Sequence, residues 1–443
     1  MREKEFLPLI KEKLGIEELN PMQERMMRSA SNASDIILLS PTGSGKTLAF
    51  ILPTLKMLRP STGRVQCVVI APSRELVMQI AGVFRSIARD FKVTALYGGH
   101  KVEDEVNSLS VVPDVIVATP GRLLDHIRRR NIDVLPTRIL VLDEFDKSLE
   151  LGFEDEMSKI VGRLKNVSRT ILTSATDIPV LPDFIVLDKP LKLDFLGDNK
   201  KLRRRIGIHR VNSDGKDKLN TLYKLLCTLY RTSTEDRTII FVNHRESVER
   251  VAEYLEKEGM PVALYHGGLD QSGREKAITL FNNGSRPVLV ATDLAARGLD
   301  IRHVANIVHY HQPLTEENWT HRNGRTARVS EEGDIYVLVG PEEDVREFID
   351  FDDTFYPDGQ ASELRFANME TLRFSAGKKE KLSKGDILGF LVKIGGFEPS
   401  EIGKIDVFDH YALAAVDASK AREVYPSIAK EKIKGKRQKI EFI

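Results

Sequence analysis

The loop Ser40-Pro41-Thr42-Gly43-Ser44-Gly45-Lys46-Thr47 limits what this chain can fold into more than any other stretch. It follows the apolar run Ile36-Ile37-Leu38-Leu39, which reads as a buried strand, and precedes Leu48-Ala49-Phe50-Ile51-Leu52, which can open a helix. Strand, glycine-rich turn and helix is the setting in which such a loop binds phosphate. The glycines let backbone N–H groups approach phosphate oxygens, and the helix N-terminus adds partial positive charge. Lys46 can reach β- and γ-phosphates, and the Thr47 hydroxyl can ligate Mg²⁺. Ser40 stands where the usual pattern has its first glycine, so the loop alone leaves a chance Gly-Ser turn open.

A chain of 443 residues with 41% apolar content has room for two to four ordinary domains. Its net charge is +1, so any affinity for nucleic acid must come from local patches. Cys67 and Cys227 are far apart in apolar contexts and read as reduced core thiols, which gives no support to a disulfide framework or a zinc site. The charged N-terminal stretch lacks the apolar segment of a signal peptide, and no run is long enough to span a membrane. A cytoplasmic location is expected.

Phe6 to Leu14 has helical spacing, and Asn20-Pro21-Met22-Gln23 starts a second helix with Pro21 at a tolerated early position. Gln23 carries the donor and acceptor needed to read an adenine edge, though a surface glutamine would look the same. Beyond the loop, apolar strands at 66–71, 93–97, 114–118 and 139–142 alternate with helical segments, which predicts a parallel sheet covered by helices on both faces. Ligands gather at the carboxyl ends of such strands. The polar clusters fall there: Pro72-Ser73-Arg74, Gly98-Gly99, Thr119-Pro120-Gly121-Arg122 and Asp143-Glu144-Phe145-Asp146. Asp143 is placed to anchor Mg²⁺, and Glu144 to accept a proton from attacking water. A further strand, 170–173, ends in Ser174-Ala175-Thr176.

Residues 197–205 are polar and basic and read as a linker, after which strands and helices alternate again to about residue 339. This second half has no phosphate loop. It carries the run 291–300, with Thr292, Gly298 and Asp300, and the run His321 to Arg328. Arg325 and Arg328 are three apart and would share a helix face. Such a pair can stabilise charge at a γ-phosphate or form a basic face toward solvent or phosphate backbone, and the spacing favours neither. Residues 341–370 are acidic, net −8, and are expected to begin as a helix and continue as a spacer. Residues 371–443 are net +5 and read strand, helix, strand, strand, helix, strand, the order of an RNA-recognition module. Their last part is a tract of Lys430, Lys432, Lys434, Lys436, Arg437 and Lys439, suited to phosphate or simply solvated.

Taken together, SPTGSGKT, PSREL, Gly98-Gly99, TPGR, DEFD, SAT, IIFVNHRESVE, HGGLDQSGRE, ATDLAARGLDI and HRNGRTAR occur in the order found in DEAD-box RNA helicases, which residues 1 to about 365 resemble. Residues 371–443 resemble the C-terminal RNA-binding domain of the DbpA group of bacterial DEAD-box proteins. The resemblance implies an α/β chain of two RecA-like parallel-sheet domains, 1–196 (ATP-binding) and 206–350 (helicase C-terminal). An acidic spacer, 351–370, and a small RRM-like α+β module, 371–443, would follow.

It implies an ATP- and Mg²⁺-dependent RNA helicase. Phe6, Gln23, the loop residues Ser40, Pro41, Thr42, Gly43, Ser44, Gly45, Lys46 and Thr47, and Gly298 and Asp300 would meet the nucleotide. Thr47 and Asp143 would serve the metal, Glu144 would activate water, and Arg325 and Arg328 would act as fingers. Ser174 and Thr176 would couple hydrolysis to RNA. RNA would lie on Pro72, Arg74, Gly99, Thr119, Gly121, Arg122, Gln271, Arg274 and Thr292, with Lys434, Lys436 and Arg437 added by the module. The expected target is structured ribosomal RNA of the large subunit, bound by a monomer acting on pre-ribosomal particles.

The chain departs from the family in places. Phe145 stands for the usual alanine, the segment after Thr176 is short for the usual helix, and Asn323 and Ala327 vary the last motif. In the module, Leu413 and Arg373 occupy positions where stacking aromatics are expected, so recognition should use loops and the basic tract. The rival readings are a non-enzymatic ATP-gated RNA scaffold and a DNA translocase. Glu144 and both arginines argue against the first, and the motif set against the second.

Overall fold

The structure, a computed structural model, describes residues 3–443 apart from 31–32, 42, 100, 179, 199–205, 297–300, 302–303, 327–332 and 359–366. The chain divides into two compact units. The first contains one seven-stranded sheet: β1 (Asp35–Leu39), β2 (Cys67–Ile70), β3 (Val93–Leu96), β4 (Val115–Ala118), β5 (Ile139–Leu142), β6 (Arg169–Ser174) and β7 (Leu191–Asp194). Their order is β3-β4-β2-β5-β6-β1-β7, with every pairing parallel. Strands β2, β4 and β5 are buried along their whole length. Successive side chains feed opposite cores: Val69, Val117, Val141 and Ile171 face one, and Val68, Ile116, Leu140 and Leu172 the other. Continuous apolar strands are what a sheet with helices on both faces requires.

Helix ends are set by local chemistry. Asn20 and Gln23 form a capping box at helix Pro21–Ser29, with Pro21 in the first turn. Ser73 caps helix Arg74–Ile87 through the Leu76 N–H.

The second unit contains two larger sheets. The first comprises β8 (Ile206–Asn212), β9 (Arg237–Phe241), β10 (Val262–Tyr265), β11 (Val288–Ala291), β12 (Val304–His309), β13 (Gly333–Val339) and β14 (Asp353–Thr354). Its order, β10-β11-β9-β12-β13-β8-β14, follows the same pattern of crossovers as the first unit over all seven strands, again all parallel. The architecture therefore repeats without an obvious repeat in sequence. Two expectations change here. Residues 341–352 form turns and extended chain rather than a helix. The stretch read as a spacer from residue 351 supplies β14, with the Ile208 N–H donating to Asp352 and the His209 ring bonded to Asp353. Phe355 then packs on this unit's core. Acidic side chains on an edge strand look like a solvated run in sequence; their backbone pairing does not show there. The expected linker 197–205 begins with a 3₁₀ turn at Leu196–Asp198, and its remainder from 199 lies outside the described residues.

The last sheet is antiparallel: β15 (Met369–Phe374), β16 (Ile402–Val407), β17 (Ala412–Asp417) and β20 (Ile440–Phe442), in the order β16-β17-β15-β20. Helices Lys384–Lys393 and Ala418–Ile428 cover the face that carries Leu372, Phe374, Ala412, Ala414 and Val416. The basic tract is a hairpin, β18 (Lys432–Ile433) with β19 (Lys436–Arg437). Lys434 and Gly435 both have positive φ, 53° and 74°, as a two-residue primed turn demands. Ile433 anchors the hairpin in the module core.

The opposite face of this sheet is not open. Thr371, Leu413 and Ala415 point away from the module core by strand alternation, yet are 1%, 1% and 0% exposed. The Thr371 hydroxyl accepts from Asn283 Nδ2 at 2.9 Å and donates to Ser285 Oγ at 2.7 Å. Ser285 Oγ in turn donates to Asn283 Oδ1 at 2.7 Å, closing a buried ring. Asn368 Nδ2 donates to Thr234 Oγ1 at 3.0 Å, and the Tyr411 hydroxyl is bonded to Ser272. The cover is thus helix Gln271–Asn282 and the turn that follows it. Leu413 and Arg373 occur where stacking aromatics were expected because this face meets protein.

Candidate nucleotide and RNA site

In the first unit the residues expected from sequence gather at the carboxyl edge of the sheet. The phosphate loop follows β1. Gly43 and Gly45 have φ of 80° and 89°, and Gly45 caps helix Lys46–Met57. The left-handed φ favours glycine at 45, and a β-carbon there would come within 2.6 Å of Gln23 Nε2, so the end of that side chain would have to shift. Lys46 is 8% exposed, its ammonium donating to the Ser40 carbonyl at 2.5 Å and the Pro41 carbonyl at 3.2 Å. Ser40, the departure from the pattern, donates its hydroxyl to Ser44 at 2.7 Å and so braces the loop.

Gln23, expected to read adenine, is 4% exposed and bonded to protein groups. Its Oε1 accepts from the Asn20 N–H at 3.0 Å, and its Nε2 donates to the Gly45 carbonyl at 3.3 Å. It ties the second helix to the phosphate loop, as does Asn20 Nδ2 on the Ser44 carbonyl at 2.9 Å. Phe6 is 1% exposed and belongs to the apolar core. Thr42, named in the loop, lies outside the described residues.

Asp143 follows β5, is 2% exposed, and accepts from the Thr173 hydroxyl at 2.5 Å. Burial pushes its carboxyl above the ordinary range, while the Thr173 bond and the Lys46 charge pull the other way. A buried, incompletely compensated carboxylate, together with the Thr47 hydroxyl in the loop, is the donor chemistry that suits a hard divalent cation. Glu144 follows in the left-handed region, φ 46° and ψ 54°, with its N–H donating to Thr173 Oγ1 at 3.3 Å. Asp146 accepts from the Ala175 N–H at 3.1 Å, the Thr176 N–H at 3.1 Å and the Thr176 hydroxyl at 2.9 Å. The Ser174 hydroxyl donates to the Thr176 carbonyl at 2.5 Å. Thr173 and Asp146 hold the two acids and the SAT stretch as one block. Sequence reading assigns neither residue a role, although Asp146 stands within the quoted motif.

The residues expected to meet RNA in this unit follow β2, β3 and β4 at the same edge. The Arg74 guanidinium lies over Gly98-Gly99, where a β-carbon on Gly99 would be 2.4 Å from Nη1. Arg122 Nε donates to the Tyr97 carbonyl at 3.3 Å and lies 3.2 Å from Glu105 Oε2. Glu105, 2% exposed, also accepts from the Tyr97 N–H at 2.8 Å and contacts His126 Nε2 at 2.7 Å. Asn131 Nδ2 faces the other ring nitrogen at 2.9 Å, which assigns the proton to Nε2. Glu105 and His126 are thus a buried support for Arg122 that spacing could not reveal. Pro72 is buried beside Arg74, and Thr119 immediately precedes helix Pro120–Arg128, which holds Gly121 and Arg122.

In the second unit Gln271 and Arg274 lie in the first turns of helix Gln271–Asn282, which Asp270 caps through the Gly273 N–H at 2.7 Å. Thr292 follows β11, its N–H donating to the Tyr265 carbonyl at 3.3 Å. Arg322 is fully buried. It pairs with Asp293 at 2.5 Å and donates to the His311 carbonyl at 2.9 Å and to Asn243 Oδ1 at 2.8 Å. His309, stacked on Trp319 at 4.7 Å, donates from Nε2 to Asn323 Oδ1 at 2.9 Å. Burial, then the Arg322 charge, lowers its pKa to about 3, so it stays neutral beside that cation. Asn323, a departure from the family pattern, therefore has a partner of its own. Arg325 is 3% exposed and follows helix Glu316–Asn323; Arg328, Ala327, Gly298 and Asp300 lie outside the described residues. In the module, Lys434 is paired with Asp386 at 2.7 Å, whereas Lys436 and Arg437 are exposed.

Among the described residues no helix is long and apolar enough to cross a membrane. The DEAD/DEAH box helicase family matches residues 20–182, the helicase conserved C-terminal domain 217–330, and the DbpA RNA binding domain 371–442. The chain is 33% identical to ATP-dependent RNA helicase DbpA of Escherichia coli, covering 97% of this chain and 95% of that one. It is 28% identical to the DbpA of Bacillus subtilis, over 97% and 95%. Among solved structures it is similar to Mss116p bound to single-stranded RNA and AMP-PNP (TM-score 0.69, 25% identity, 81% of this chain and 78% of that one). It is also similar to Dbp5 of Saccharomyces cerevisiae bound to RNA and ADP BeF3 (TM-score 0.65, 26% identity, 76% and 88%). With two RecA-like parallel sheets, a phosphate loop and buried acid at one sheet edge, and a third domain of matching type, the chain belongs to the DEAD-box ATP-dependent RNA helicases, in the group that ends in a DbpA RNA binding domain, and is an RNA-stimulated ATPase.

Proposed function

We propose that this helicase remodels structured ribosomal RNA of the large subunit during ribosome assembly, working as a cytoplasmic monomer. The observation that carries the reading is the module itself. Its exposed basic hairpin, with Lys436 and Arg437, stands on a domain whose opposite sheet face is taken up by protein. RNA recognition by such a module falls to its loops and charged edges, which can grip a folded RNA shape rather than a stacked single strand. The core grips sugar and phosphate through Arg74, Gly99, Thr119, Gly121, Arg122, Gln271, Arg274 and Thr292, and so has little sequence preference of its own.

Lys46 and the loop N–H groups hold the ATP phosphates, with Gln23 at the base. Thr47 and Asp143 hold Mg²⁺, which neutralises phosphate charge when bound. Glu144 takes the proton of the attacking water as its oxygen bonds to the γ-phosphorus and the bond to ADP breaks. Arg325 and Arg328 stabilise the charge that develops there, and Gly298 and Asp300 report the nucleotide state. RNA favours the arrangement competent for hydrolysis by binding it more tightly.

The test is RNA-stimulated ATPase on ribosomal RNA and on an unrelated RNA, comparing the whole chain with Lys436→Ala/Arg437→Ala. The double variant should lose the preference for ribosomal RNA while keeping activity on either RNA at high concentration, and its salt dependence should flatten. Equal preference in both proteins would remove Lys436 and Arg437 from target choice.

A further inference from the structure

The left-handed backbone of Glu144 is a conformation that a residue with a β-carbon holds only when its surroundings enforce it. On one side it is tied to β5 and to the Thr173 hydroxyl. On the other side the next residue, Phe145, is 0% exposed and sunk in the apolar core with Leu142, Met157 and Leu172. Its ring centroid lies 6.5 Å from that of Phe184 at an interplanar angle of 60°. Phe184 belongs to the segment joining β6 to β7, which contains no helix among its described residues and lays Ile178, Leu181, Ile185 and Leu187 on the same core. That segment starts at Thr176, which Asp146 holds. The four residues 143–146 therefore divide their work: two acids at the sheet edge, one ring driven inward, one acid gripping the next stretch.

We propose that Phe145 and Phe184 form an anchor that sets the position of the Glu144 carboxylate for hydrolysis. The large aromatic at 145 and the helix-less segment after Thr176, two separate departures in sequence, are then one adaptation, since the segment supplies the ring that closes over Phe145. Both are positioning residues, and the inference rests on Glu144 acting as the base.

The experiment is a graded series at the half-buried Phe184, to Leu, Val and Ala, in the full chain, with steady-state RNA-stimulated ATPase and melting measured together. The turnover number at saturating ATP and RNA should fall stepwise, by about ten- to a hundredfold at alanine, the scale of a slightly misplaced catalytic group. KM for ATP and for RNA should stay within about twofold, since the phosphate loop and RNA edge are untouched. Phe184→Leu should recover most of the turnover. The double variant Phe145→Ala/Phe184→Ala should be no slower than Phe145→Ala alone, because both remove one contact. Turnover that is flat across the folded members of the series, or a change confined to KM, overturns the anchor. Glu144→Gln assayed in parallel separates the two ideas. If it abolishes turnover while the Phe184 series is flat, the base stands and the anchor falls. If it turns over normally, the base itself is wrong.

Discussion

Thr371→Val perturbs the docking of the RNA-binding module through a single hydroxyl. Valine keeps the shape and the strand preference of threonine. It removes the one hydroxyl that closes the buried ring with Asn283 and Ser285, whose bonds to Thr371 are 2.9 and 2.7 Å. Ser285 keeps its bond to Asn283 Oδ1, so the loss falls mainly on the Asn283 Nδ2 donor, which is left in a site only 7% exposed. Leaving a buried neutral donor unpaired costs about 1–3 kcal/mol. A value of about 2 kcal/mol shifts the docking equilibrium by roughly thirtyfold. Thr371 points away from the module core, so Leu372, Phe374 and the helices packed on them should be unaffected. Hydrogen exchange followed by mass spectrometry resolves the two effects. Peptides covering 283–287 and 411–416 should lose protection, while helix Lys384–Lys393 exchanges as in the parent. Unchanged protection at 283–287 would show that the ring contributes nothing to docking; simultaneous loss in the helix would show that Thr371 serves the module's own fold. Either result refutes the argument.

The other predictions concern chemistry and electrostatics. The fragment 1–196 contains Lys46, Asp143 and Glu144 but neither Arg325 nor Arg328, and should hydrolyse ATP at a small fraction of the full chain's rate with any RNA; comparable rates would exclude a requirement for the second domain. Glu105→Ala withdraws the carboxylate that holds Arg122 and should raise the RNA concentration for half-maximal ATPase by about tenfold, the scale of a charge-assisted bond, with little change at saturation; Glu105→Gln should be milder, and a change in turnover alone would contradict the positioning role. His209 is bonded to Asp353 and Asp334, and although burial acts to lower its pKa, those bonds prevail and raise it. Its contribution to holding β14 is therefore complete below the ordinary histidine value of about 6.5 and is lost as pH rises through the elevated one. The drop in melting temperature caused by Asp353→Asn should accordingly be larger at about pH 5.5 than at about pH 9, and a pH-independent difference would show that His209 is not the group involved.

The parts of this protein that are legible in sequence are those whose physics is local. A strand, a glycine turn, a lysine and a helix start occur within a dozen or so residues, so the phosphate loop can be read directly, as can the acids after β5 and the βαββαβ order of the module. The same locality places the clusters proposed to meet RNA, because each follows its own strand and parallel strands bring their carboxyl ends to one edge. Pairings between distant segments are not legible. Glu105 meets Arg122 and His126, Phe145 meets Phe184, Asn323 accepts from His309, and Lys434 is spent on Asp386, yet in each case the residue type alone fits an ordinary core or solvated position. Acidic residues 352–353 read as a spacer because side-chain charge conceals backbone pairing with β8. For the module there is one unread signal: Ala412 to Val416 is apolar at every position, which a sheet open on one face does not need. Sequence shows that such a strand must be covered twice; only the tertiary structure decides by what, because the cover, helix Gln271–Asn282, lies more than a hundred residues away and its polar neighbours Asn283 and Ser285 become distinctive only when Thr371 closes the ring.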